Sequence, residues 1–104
     1  LASADSVAAG AACSLATTTS YFTTSGTETG TTLAAGVEGQ IKILIMLGSA
    51  GNSRAVTVTD AGWKSTGSGT GVATFNAVGE ACTLQYVNNK WYAIGNNGVA
   101  FSDA

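Results

Sequence analysis

Short blocks of two-residue alternation run through most of this chain. Ile41, Ile43, Ile45 and Leu47 share one face of the longest block, with Lys42, Leu44 and Met46 on the other. Past Lys42 both faces are apolar, which predicts a central strand covered on both sides. Residues 54–59 alternate Val56 and Val58 with Ala55, Thr57 and Thr59, a shorter strand is predicted over 72–76, and residues 99–101 lead into the tail. Thr makes up nine of the sixteen residues from 17 to 32. Its branched β-carbon suits a pleated surface, so 17–24 reads as a strand around Tyr21 and Phe22, and 29–33 as a second, shorter one.

The sharpest local signal lies further on. Residues 82–87 and 90–95 flank Asn88-Asn89, and Asn tolerates the positive φ angles of a two-residue type I′ turn. That register pairs Tyr86 with Trp91 and Leu84 with Ala93 on one face, and Gln85 with Tyr92 and Thr83 with Ile94 on the other. Turns are predicted at 36–40, 48–53, 78–80 and 96–98, and a long Gly/Ser loop carrying Trp63 at 60–71. No segment has a helical period. The expected fold is therefore all-β, a small antiparallel β-sandwich or β-prism. Residues 1–15 are Ala-rich without an amphipathic period. They read as an extended N-terminal arm, with at most one short helical turn, preceding a single β domain at 16–104.

Composition narrows the function. The chain has no His and no Pro, and only ten of its 104 residues are charged, against roughly 25% in an ordinary soluble domain. Without His, ordinary acid–base work near neutral pH has no natural carrier, so an enzyme is not expected. The net charge of −2 offers no basic stripe for nucleic acid. The four cations, Lys42, Arg54, Lys64 and Lys90, are scattered and read as solvated strand and loop positions. The apolar run at 41–47 falls far short of the ~20 residues a membrane-spanning helix needs. The first residues lack a basic leader, so a signal peptide is not read, and the missing initiator Met points to a start inside a longer chain. Low charge on a small domain leaves apolar and Thr/Ser/Gly surface, which suits a chain packed against copies of itself.

Candidate chemistry is thin. Cys13 and Cys82 lack a His partner or a CxxC spacing. Each reads as a small buried hydrophobe, with a disulfide between them left open. Gly69-Thr-Gly71 lacks the Lys and the helix of a phosphate loop. Glu38 and Glu80 sit in turns and read as solvated carboxylates. Asp60 and Asp103 lack calcium-loop spacing. Trp63 reads as capping the core or meeting a neighbouring subunit rather than stacking on a sugar. No cofactor, metal or small-molecule substrate is expected.

Four segments together carry a resemblance: Leu33-Ala-Ala-Gly-Val-Glu-Gly-Gln-Ile-Lys-Ile43, Val56-Thr-Val58, Thr74-Phe-Asn-Ala-Val-Gly79, and Thr83-Leu-Gln-Tyr-Val-Asn-Asn-Lys-Trp-Tyr-Ala-Ile-Gly-Asn-Asn-Gly98. This arrangement resembles a β module of virion proteins in tailed bacteriophages, especially those of marine and cyanobacterial phages. There a G-x-E-G-Q turn leads into an apolar strand and an N-x-K-W hairpin ends in G-x-N-G. The similarity covers about residues 17–101. It implies a small trimeric capsid decoration protein, of the cement or head-fibre type, or the terminal receptor-binding module of a trimeric tail fibre. It implies no catalytic residues.

The expectation is a homotrimer on the capsid exterior, with the major capsid protein as partner. Its subunit interface is expected to draw on Ile43, Leu44, Ile45, Met46 and Leu47. Residues 1–15 are expected to dock to the capsid or an adjacent subunit, Val7 and Leu15 offering the apolar contacts, and their deletion to leave the β body folded.

Overall fold

The computed structural model describes residues 4–67 and 69–103. Residues 1–3 of the expected arm, Ser68 of the Gly/Ser loop and Ala104 lie outside that range. The described residues form nine strands and no helix: β1 (Ala4–Ser6), β2 (Thr19–Thr23), β3 (Glu28–Leu33), β4 (Ile41–Gly48), β5 (Arg54–Val58), β6 (Gly71–Phe75), β7 (Ala81–Val87), β8 (Lys90–Asn97) and β9 (Ala100–Asp103). They make a five-stranded sheet, ordered β1-β2-β4-β7-β8, and a four-stranded sheet, ordered β3-β5-β6-β9. The sheets pack face to face: Phe22 of β2 meets Phe75 of β6 edge-on, ring centroids 4.9 Å apart.

Strands β2 to β8 fall where the alternation predicts them, β1 and β9 have no predicted counterpart, and the sheets are mixed rather than antiparallel. β1 pairs with β2, β2 with β4, and β3 with β5, all parallel. The reason is the route of the chain. The connection from β2 to β3 crosses between the sheets instead of turning back within one, and so do those from β3 to β4 and β4 to β5. Each full circuit brings the chain back beside its earlier strand in the same direction. Only the second half closes by antiparallel pairing, β4 with β7, β7 with β8, β5 with β6 and β6 with β9.

The hairpin forms as the Asn-Asn pair predicts. Asn88 and Asn89 have φ of 54° and 63°, and Tyr86 opposes Trp91, Gln85 Tyr92 and Leu84 Ala93. Beyond Leu84 the register slips, so Thr83 faces Gly95 rather than Ile94. Ile94 is thus the extra residue of a β-bulge, a common device on an edge strand.

Two expectations need correction. Residues 4–15 are extended but not detached. β1 is the outer strand of the five-stranded sheet, Ala12 bridges Thr32 on the other sheet, and Val7 and Cys13 belong to the core. This segment closes one side of the sandwich like a strap, so its removal would open the core rather than leave the body intact. Lys42 and Arg54 are also not solvated: they are 0% and 1% exposed. Lys42 shares a face with Leu44 and Met46, and Arg54 with Val56 and Val58, and these are the faces turned inward. Ile41, Ile43 and Ile45 take the opposite, half-buried side.

Candidate functional site

The inner polar site is built on the two buried cations. Lys42 Nζ donates to Ser14 O at 2.6 Å and to Thr17 O and Oγ1 at 3.0 Å, and lies 3.6 Å from Asp5 Oδ1. Asp5 in turn accepts from Thr17 Oγ1 at 2.5 Å, Ser20 Oγ at 2.6 Å and Ser14 N at 3.1 Å. Burial alone would raise the Asp5 pKa. The hydrogen bonds from Ser20, Thr17 and Ser14 and the Lys42 charge outweigh it and hold the carboxyl below its usual value. Burial lowers the pKa of Lys42, opposed by Asp5. Arg54 donates to Thr24 Oγ1 and Val7 O at 3.0 Å and to Thr23 O at 3.3 Å, with its guanidinium 4.7 Å from the centre of the Phe22 ring. Both cations therefore grip the strap, Lys42 at its two ends and Arg54 at its middle.

The thiols contribute packing. Cys13 and Cys82 are buried and not joined by a disulfide. Burial raises the pKa of both, that of Cys82 to about 12.

The turn carboxylates tie loops together. Glu38 accepts from Asn88 N, Glu80 from Asn76 N, and Asp60 from Tyr86 Oη at 2.7 Å. The two motif segments meet here. Gly36 leaves no room for a side chain, since an added β-carbon would stand 2.7 Å from the Trp91 ring, and Trp91 Nε1 donates to Ala34 O. The G-x-E-G-Q turn is thus a seat for the hairpin. Trp63 packs on Phe101, centroids 4.8 Å apart, and donates to Ser102 O, so it caps the end of the four-stranded sheet.

Among the described residues no further layer covers the outer surface of the five-stranded sheet. Ile41, Ile43 and Ile45 run down its middle, half-buried only by their neighbours, and Leu47 continues the line at 53% exposure. Register places Thr19 and Tyr21 on one flank and Ala81, Thr83 and Gln85 on the other. Tyr92 and Ile94, 39% and 57% exposed, extend the face onto β8. Across β2, β4, β7 and β8 its one charged residue is Lys90, at the hairpin end. Of the residues expected at an interface, Ile43, Ile45 and Leu47 lie on this surface, while Leu44 and Met46 are fully buried within the chain's own core. Of the two expected docking residues, Leu15 is exposed and Val7 is buried.

No family model, curated protein or solved structure matches this chain.

Proposed function

We propose that this chain is a structural module of a virion surface, a capsid decoration protein of a tailed bacteriophage that assembles as a homotrimer and docks to the major capsid protein. The observation that carries the reading is the bare Ile41–Ile43–Ile45–Leu47 line on a nearly charge-free sheet face. The five strands hold 31 residues, which at about 3.3 Å along and about 4.8 Å between strands give a flat face of roughly 500 Å² before side-chain relief, against the ~800 Å² each partner contributes to a standard interface. Three such sheets set around an axis parallel to their strands enclose an apolar prism, in which each copy covers the others. The resemblance of the turn and hairpin motifs to phage virion modules gives the setting. The motifs themselves act as scaffolding, Glu38 and Gly36 seating the hairpin.

Light scattering on the purified protein tests assembly: three chain masses are expected, and a folded monomer at micromolar concentration would refute it. Copy number per virion tests the setting. Hundreds of copies fit head decoration, whereas a few to tens would move the module to a tail fibre.

A further inference from the structure

We propose that the free edge of β8 takes up β1 of a neighbouring copy as an added parallel strand, so that the sheets of the assembly join edge to edge. This rests on the assembly reading above and adds what holds the copies in register. β1 and β8 bound the five-stranded sheet on its two sides. They run the same way: β1, β2 and β4 are parallel, and two antiparallel steps, β4 to β7 and β7 to β8, restore the direction. Around a three-fold axis along the strands, β8 of one copy therefore meets β1 of the next as a parallel pair. Such a contact joins two different surfaces and closes into a ring when the rotation is a third of a turn.

The edge of β8 is open where β1 would lie. Trp91 turns its backbone to this edge, where its N–H donates to Asp60 O and its C=O accepts from Gly62 N. Ala93, two residues on and still before the bulge, turns its N–H and C=O the same way. Among the described residues no hydrogen-bond partner meets them there. Ala61 bridges Trp91 in parallel, so an added β1 would continue the line that residues 60–62 begin. Tyr92 to Asn97 are all exposed, even Ala93, which lies on the same side as fully buried Trp91. No charged residue or Pro guards the edge from Trp91 to Gly98. The bulge at Ile94 limits the open run to a length that suits β1, itself three residues long. On β1, Val7 donates inward to Tyr21 O, so Ser6 presents its N–H to the outer edge.

Area and geometry both favour this occupant. The Ile-lined face alone offers roughly 500 Å², short of the ~800 Å² of a standard interface. Five strands at about 4.8 Å set sides about 24 Å wide, which stand about 7 Å from a common axis, while packed sheets lie about 10 Å apart. Any wider spacing at the corners would leave the Ile side chains short of one another. Faces in contact therefore bring the edges into contact as well. A second β8 in place of β1 would pair antiparallel about a two-fold axis and leave both Ile faces bare on one side of a continuous sheet.

Amide hydrogen exchange on the ¹⁵N-labelled full chain, paired with light scattering, tests the edge. In the trimer the Ala93 and Ser6 amides are expected to exchange at least about a hundredfold more slowly than unprotected ones. Ala93→Pro deletes the outward N–H without touching the ladder to β7, a change an edge strand tolerates. It should leave the circular dichroism unchanged and raise the concentration at which the trimer dissociates by at least about tenfold; should this variant misfold, exchange in the parent decides alone. The inference fails, with the trimer standing, if either amide exchanges freely in a particle of three chain masses, or if a folded Ala93→Pro trimerises as the parent does. It also fails if Ala93 alone is protected in a particle of two chain masses, the mark of β8 pairing with β8. A monomeric parent would instead refute the assembly reading, and this inference with it.

Discussion

At the scale of single residues, the interior of this protein departs from an oily core at a few positions. Thr31 Oγ1 is buried with no hydrogen-bond partner. An unsatisfied buried hydroxyl costs about 1–3 kcal/mol, and Val has nearly the same shape. Thr31→Val should therefore raise stability by about 1 kcal/mol, read as a higher urea midpoint at unchanged slope; a lower midpoint would mean that the hydroxyl is satisfied in solution. Cys82 sets a pH limit. Burial raises its pKa from 9.0 to about 12, so the folded chain holds this proton more tightly than the unfolded one. Its contribution is complete below about pH 9 and fades as pH rises toward 12. Lys42 works in the opposite sense, since burial lowers its pKa from 10.5 and neutralising it relieves the fold. Melting temperatures from pH 8 to 12 should fall less steeply for Cys82→Ala than for the parent. Parallel curves would show that the thiol does not control the alkaline limb.

At the scale of elements, the strand positions were legible because alternation, Gly and Asn turns and β-branched residues all agree along this chain. The hairpin register was legible from the turn as far as Leu84, because Asn88 and Asn89 fix the turn, but the bulge beyond it was not. The direction of the early strands was not. Parallel pairing of β2 with β4 depends on which sheet β3 joins, and local pattern carries no record of that. The strap was missed for a related reason: Val7 and Cys13 are too few to give a period, and what holds the segment are cations far along the chain. Their burial could have been read from parity, since Lys42 falls on the same face as Leu44 and Met46, and Arg54 on the same face as Val56 and Val58. Charge made them look like surface residues. The strap yields an element-scale prediction. Lys42→Met removes the donor to Ser14, Thr17 and Asp5, and breaking a buried pair at one partner costs about 3–5 kcal/mol. Amide exchange at Val7, bonded to Tyr21 O, and at Cys13, bonded to Thr32 O, should accelerate before exchange in the hairpin does. Equal acceleration everywhere would mean that the strap and body open together.

At the scale of the whole molecule, charge has been cleared from the broad faces. Lys42 and Arg54 lie inside, and among the described residues the remaining charged side chains stand on turns, loops, edges and strand ends. The middle strand of the five-stranded sheet then offers two kinds of apolar residue that differ in one respect only, the side on which they lie. This gives the assembly reading its decisive test. Leu44→Asp and Met46→Asp put an unpaired charge into the chain's own core, where both residues are 0% exposed, and should prevent folding altogether. Ile43→Asp and Ile45→Asp put the same charge on the half-buried outer face. A chain whose face is covered only by other copies should survive that change as a folded monomer. Circular dichroism separates folded from unfolded, and light scattering separates one copy from three. If Ile43→Asp and Ile45→Asp stay trimeric, the interface lies elsewhere. If they unfold like Leu44→Asp, the outer face is needed for folding itself, and the trimer would be obligate.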